Sequence, residues 1–475
     1  MNTPVKDTSR LLGFWMCTAL VVGNIIGSGV FLLPAALSPY GLANSTSAWL
    51  FTASGAVILA CVFAGLSRGM PGAAGPYAYT RMAFGELPAF LIIWGYWIGV
   101  WAGNAAIATG SVSYLAELFP VISERPGVAP LVTVTAVWLL TAVNVLGART
   151  AGGVQVVTTV MKLLPLFVIA GVGLFVLFQG DSRIAAAAQA SPPLTLGAFT
   201  AAATLTLWPL LGFESASVAT ERVRDPARVI PRATIIGAAM AAVIYIIASS
   251  TVQILIPAEE LAKSNAPFAD VARMFFGETA GHWLALFAAI SGFGALNGWI
   301  LLQGELPFQL ARDGVFPRYF ARESRRHTPA RALVVSSILV TALMLFNYDK
   351  SMVQVFNFVI LIASFSTLVL YLTCAVAVLK LLHDRKLQVA RGRTAALAVC
   401  GLLGGGYALW AIIGAGISTD PEQCKGALLC WATWSKNPVY LGSAMIALGV
   451  PVYYAMRWGA RGDGRVASGG VQDLR

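Results

Sequence analysis

Along the chain, apolar stretches of about twenty residues alternate with short clusters of charge, glycine and proline. About twenty residues at a rise of about 1.5 Å each match the ~30 Å hydrocarbon core of a bilayer. Twelve such stretches can be marked, at roughly 11–36, 44–67, 88–116, 131–147, 153–179, 198–219, 233–256, 282–304, 331–347, 353–379, 396–417 and 438–456. They lack the alternation of polar and apolar positions that marks a membrane β-barrel. The pattern therefore predicts an all-α integral membrane protein of twelve transmembrane helices in one transport-sized unit, 1–475, with no long soluble domain.

Two of the stretches carry helix-breaking residues at their centres. The first contains Gly27-Ser28-Gly29, and the sixth contains Trp208-Pro209-Leu210-Leu211-Gly212. Glycine weakens a helix, and proline removes a backbone donor and clashes with the preceding turn. Backbone groups freed at membrane depth must face protein or a polar cavity, because lipid cannot satisfy them. Close helix packing also favours small residues, so the first stretch alone leaves both readings open. The second break settles the choice. It lies five stretches after the first, and an odd offset inverts it in the membrane. This is the layout of a five-plus-five inverted repeat, 11–179 and 198–379, with 396–456 as two additional helices. Paired broken helices belong to an alternating-access transporter.

Composition agrees with a membrane chain. Hydrophobic residues make up 57%, charged residues 11%, and the mean hydropathy is +0.75. The net charge of +11 is scattered through loops without a stripe or a nucleic-acid motif, which excludes a nucleic-acid partner and leaves the lipid bilayer. With both termini cytoplasmic, the loops on that side carry 24 of the Lys and Arg residues and the opposite loops 7, the bias expected of a multi-pass protein of the cell inner membrane. The first stretch exceeds a signal-peptide core and lacks a cleavage pattern, so it reads as a retained span. The six cysteines and three histidines show no metal-ligand spacing, so neither a metal nor a cofactor is expected. Cys424 and Cys430 share an outer loop, where a disulfide and two free thiols are both permitted.

Two ionisable residues fall inside the stretches, Glu214 in the sixth and Lys162 in the fifth. An intramembrane ionisable group is a functional candidate by default. Apolar surroundings favour the neutral form of Glu214, which suits a proton sensor; a structural carboxyl bonded to a neighbouring helix is the alternative. Lys162 lies about 14 Å into its helix at ~1.5 Å per residue, too deep for easy snorkelling.

The segments Gly23-Asn24-Ile25-Ile26-Gly27-Ser28-Gly29-Val30-Phe31-Leu32-Leu33-Pro34, Tyr77-Ala78-Tyr79, Trp101-Ala102-Gly103-Asn104, Gly212-Phe213-Glu214-Ser215-Ala216-Ser217 and Asp313-Gly314-Val315-Phe316-Pro317 resemble the amino acid/polyamine/organocation (APC) superfamily. Within it, the chain is similar to the basic amino acid/polyamine antiporter family, and to the arginine/agmatine antiporters of bacteria in particular. The resemblance covers nearly the whole chain. It implies a LeuT-type fold and a substrate site at the two breaks. There, amides after Gly27, with Ser28 and Gly29, meet the substrate carboxylate. Carbonyls near Ile25 and from Trp208 to Leu211 meet the ammonium. Trp208 and Trp299 correspond to aromatics beside the substrate side chain, which suits cation–π contact. Tyr96, Asn104 and Leu211 fall on further site positions. The resemblance also implies pH sensing at Glu214 and a homodimer.

The chain departs from the family in three places. The family's serine of the tenth helix falls on Ile360-Leu361-Ile362-Ala363, where no hydroxyl stands, with Ser364 and Ser366 as substitutes one turn on. Gly99 and Val100 are smaller or less polar than expected. Lys162 is absent from the similar antiporters, and in proton-coupled relatives it takes the place of a sodium site. The sequence thus predicts a transporter and no enzyme, exchanging a cationic amino acid (arginine) for its decarboxylated amine (agmatine). Lysine, ornithine or a less polar amino acid remains open as substrate. A proton-coupled amino acid importer of the same fold is the alternative, and a membrane enzyme or electron-transfer subunit is a remote third reading.

Overall fold

The computed structural model describes residues 13–70, 75–147, 151–212, 226–347, 349–387, 389–416 and 437–462. Glu214, Cys424 and Cys430 lie outside the described residues, as do the side chains of Ser28 and Lys162. Helices occupy every apolar stretch read from the sequence: α1 (Phe14–Ile25), α2 (Gly41–Gly69), α3 (Glu86–Leu118), α4 (Val128–Leu146), α5 (Ala151–Gln179), α6 (Leu196–Leu207), α7 (Pro226–Leu255), α8 (Glu278–Arg312), α9 (Ala330–Leu345), α10 (Met352–His383), α11 (Arg391–Gly414) and α12 (Pro438–Ala447, continued by Gly449–Gly462). Eight helices among the described residues are long and apolar enough to cross a membrane. The second half of α5 also qualifies if joined to the short helix Ser182–Ala190, from which it is bent by 101°. The short members α1 and α6 are the two interrupted at their breaks.

Packing separates inner from outer helices. Residues of α3 and α10 are buried on nearly every side. By contrast, α4, α5 and α11 turn Leu131, Leu139, Phe167, Leu174, Phe178, Leu402 and Leu403 outward. Apolar side chains exposed in such number form a lipid-facing surface, and the chain is a multi-pass membrane protein.

The order of contacts has a pattern. Helix α1 packs on α7 and α6 on α2; α3 packs on α10 and α8 on α5; α3 packs on α9 and α8 on α4. The pairs α2 with α7, α3 with α8, and α4 with α9 also pack together. Each pairing maps onto itself or another when α1–α5 are exchanged for α6–α10. Helix α11 lies outside this scheme and packs on α2, where small residues allow close approach. A Cβ on Gly65 would lie 2.2 Å from Leu397 Cδ1, and one on Gly404 would lie 3.3 Å from Leu59 Cδ2.

Local chemistry sets the helix starts. Ser351 and Gln354 form a capping box at α10, and the Thr195 hydroxyl accepts from Ala198 N at α6. Between α7 and α8 lies the short helix Pro267–Phe276. Its Arg273 joins Glu117 at the end of α3, Asp270 (2.7 Å) and Glu278 (2.7 Å). Burial opposes the charge on Arg273, but these three carboxylates outweigh it and raise its pKa. Asp270 is shifted upward by burial, opposed by the Ser264 hydroxyl and Arg273.

Candidate functional site

Both predicted breaks are present, and they meet. Helix α1 ends at Ile25; Ile26 is extended (φ −74°, ψ 92°), and the chain resumes as a 3-10 turn over Ser28–Val30 and a short helix over Leu33–Leu37. Helix α6 ends at Leu207 and passes through a 3-10 turn, Trp208–Leu210, that contains Pro209. Leu211 is then extended, with its N–H on the Trp208 carbonyl (3.1 Å). Gly212 takes φ 102°, a region that side-chain-bearing residues avoid.

The contact between the breaks is the Trp208 indole on Gly29. A Cβ on Gly29 would stand 1.7 Å from Trp208 Cζ3, so only glycine admits the ring in this position. On α3, Gly103 lies along another side of the indole, and Phe356 of α10 meets it edge-on with ring centres 5.9 Å apart. Beside this ring is a cavity of about 70 Å³. Its wall is formed by Ile25, Gly27 and Gly29 from the first break and by Trp208, Pro209, Leu211 and Gly212 from the second. Helix α3 adds Tyr96, Gly99, Val100, Gly103 and Ile107, α8 adds Trp299, and α10 adds Thr367.

Of the sequence-predicted residues, Ile25, Gly29, Tyr96, Trp208, Leu211 and Trp299 are thus gathered in one wall. The backbone of Ser28 lies between the wall residues Gly27 and Gly29. Asn104 is fully buried behind Gly103, with Nδ2 donating to the Trp299 carbonyl (3.2 Å) and to Gln303 Oε1 (2.7 Å). Lys162 lies on α5, and Glu214 follows Gly212 outside the described residues.

Three features were not read from the sequence. The first is that the α10 hydroxyl at the wall belongs to Thr367, one turn after Ala363, whose carbonyl accepts its proton (2.9 Å). Ser364 and Ser366 are fully buried, but neither lines the cavity. Gly99 makes room for this arrangement, since a Cβ there would lie 2.9 Å from Thr367 Oγ1.

The second is a pair of buried tyrosines that hold the break in α1. Tyr245 on α7 donates to the Ile25 carbonyl (3.0 Å), which also accepts from Gly27 N–H (2.9 Å). Tyr114 on α3 donates to the Phe31 carbonyl (2.9 Å) and accepts from Phe268 N–H (3.2 Å). The Ile25 oxygen, read from the sequence as a partner for the substrate ammonium, therefore already has two donors. The third is Gln303, which joins Asn104 to the scaffold.

No charged side chain stands in the wall among the described residues, and no group of three metal-ligating residues occurs among them. The wall offers aromatic faces, backbone groups and neutral polar atoms.

This geometry agrees with what the chain is similar to. Residues 12–424 match the family model described as "Amino acid permease". The cadaverine/lysine antiporter of Escherichia coli (strain K12) is 34% identical over 343 residues, 71% of this chain and 75% of its own length. The arginine/ornithine antiporter of Pseudomonas aeruginosa is 28% identical over 467 residues, 94% of each chain. Among solved structures, a manganese transporter of Eremococcus coleocola shares the fold at a TM-score of 0.56 and 14% identity, over 97% of both chains. The chain belongs to the amino acid permease family and is a transporter.

Proposed function

We propose that this protein is an antiporter that exchanges a cationic amino acid for the amine left by its decarboxylation, with arginine and agmatine as the pair favoured by its sequence. The observation that carries this reading is the cavity at the two broken helices, with Trp208 across Gly29 and Trp299 in the same wall. An aromatic face attracts a cation by about 0.5 to 2 kcal/mol, enough to select it and weak enough to release it. Amides of the 3-10 turn at Ser28–Val30 serve the substrate carboxylate, and carbonyls from Trp208 to Leu211 serve its ammonium. Two antiporter relatives named for cationic amino acids support the substrate class.

Transport proceeds by alternating access in a five-plus-five inverted repeat, 11–179 and 198–379, with two helices added at 396–456. The exchangeable packing of α1–α5 and α6–α10 supports this division. The protein lies in the cell inner membrane with both ends cytoplasmic, in accord with its loop charges. Glu214 senses pH. A second reading, proton-coupled uptake by the same site, is favoured by Lys162 on α5.

Isothermal titration of the purified protein with arginine, agmatine, lysine, ornithine and putrescine tests the substrate class. Saturable binding of at least one cationic amino acid and its amine is expected. Binding confined to neutral amino acids would remove the proposal.

A further inference from the structure

A buried chain of hydrogen bonds leads from the scaffold to the cavity wall, and its neighbours assign the donor and the acceptor at each link. The Trp299 carbonyl can only accept, so the Asn104 atom 3.2 Å from it is the amide nitrogen. That nitrogen is also 2.7 Å from Gln303, which must present its oxygen. Gln303 Nε2 then donates to Ser337 Oγ (3.0 Å). Ser337 lies 2.7 Å from Thr141 Oγ1, whose own proton goes to the Val137 carbonyl (2.7 Å), so the Ser337 proton goes to Thr141. Trp97 Nε1 is shared between Ser336 Oγ (3.0 Å) and the Gln303 carbonyl (3.2 Å), and the Ser336 hydroxyl also donates to that carbonyl (3.2 Å).

One atom of this relay is left over. Asn104 Oδ1 is buried and has no hydrogen-bond partner among the described residues. Asn104 stands on α3 one turn after Val100, directly after Gly103 and three residues before Ile107, all of which line the cavity. A buried acceptor without a donor is costly, and a ligand that supplies an N–H relieves the cost.

We infer that Gln303 is a positioning residue for substrate selection: together with the Trp299 carbonyl it accepts from Asn104 Nδ2 and, through the shorter of the two contacts, holds Asn104 Oδ1 as an acceptor for ligands whose far end carries N–H donors. The inference rests on the proposed cationic-substrate site and deepens it. Thr367 agrees, because its proton is committed to Ala363 and its oxygen too can only accept from a ligand. An ammonium or guanidinium that reaches Asn104 satisfies Oδ1, whereas an apolar end leaves it unsatisfied.

The test compares the tightest binder among arginine, lysine and ornithine with norleucine, which lacks a terminal N–H, by calorimetry on the purified protein. Gln303→Met keeps the side chain's length but offers Asn104 no oxygen. It is expected to cut the preference for the cation at least about five-fold, with norleucine affinity nearly unchanged. Gln303→Glu keeps an acceptor towards Asn104 and is expected to retain the preference. The inference is overturned if Gln303→Met keeps the preference, if it weakens both ligands equally, or if Gln303→Glu loses the preference as fully. Wild-type protein that binds none of the three cations would instead overturn the reading beneath it, and the inference with it.

Discussion

The two breaks that meet at the cavity are held in different ways. The break in α1 is made by glycines and braced from outside, with Tyr245 of α7 on the Ile25 carbonyl and Tyr114 of α3 on the Phe31 carbonyl. The break in α6 is made by Pro209 and closed by Leu211 N–H on the Trp208 carbonyl and Gly212 at φ 102°, while the Thr206 hydroxyl just before it meets Thr52 of α2 (2.9 Å). The first is a floor tied to two other helices through its backbone carbonyls. The second carries the indole that lies on that floor. A cavity of about 70 Å³ is far below the ~300 Å³ of ordinary ligand sites. This conformation is therefore too small for an amino acid, and admission of one requires movement.

The most damaging change to this arrangement is Trp208→Leu. A desolvated cation–π contact of about 2 kcal/mol corresponds to roughly 30-fold in affinity. Transport by the variant should fall at least that far while the protein elutes from gel filtration as the wild type does. Gly29→Ala attacks the same contact from the floor, because its Cβ would overlap the indole. A loss of roughly ten-fold in transport is expected, from displaced rather than missing aromatic surface. Adding Gly29→Ala to Trp208→Leu should cost little more. A full second loss would show that the floor acts independently of the ring.

The bracing itself can be weighed by melting curves. Tyr114→Phe removes the partner of two backbone groups and should destabilise by about 1 to 3 kcal/mol. Tyr245→Phe should cost about 1 kcal/mol, since the Ile25 carbonyl keeps the Gly27 donor. A larger loss from Tyr245→Phe would reverse the ranking of the two braces. Smallest at acidic pH is the effect of Glu214→Gln, which should flatten the pH profile of transport while preserving uptake. An unaltered profile would return Glu214 to a structural role.

Much of this was legible in the residues, and what was not has a physical reason. Helix positions follow from runs of bilayer length, and the breaks follow from glycine and proline at the middle of such runs. Their meeting is foreseen by the odd offset between them. The braces are not, because inner and lipid-facing helix surfaces are both apolar. A tyrosine such as Tyr114 or Tyr245 shows its helix but not the carbonyl that it reaches. Thr367 illustrates a finer limit. Ser364, Ser366 and Thr367 lie within one turn of α10, and successive residues rotate by about 100°, so an error of one residue in register selects the wrong hydroxyl. Gln303 was missed because its role depends on Asn104 and Ser337, which lie far from it in sequence.

The central claim is exchange through the cavity shared by α1 and α6. Its most direct test is counterflow in proteoliposomes loaded with unlabelled arginine, lysine, ornithine or the matching amines. Labelled cationic amino acid should enter only when a transported partner is inside. Uptake into empty vesicles driven by an inward proton gradient would contradict exchange.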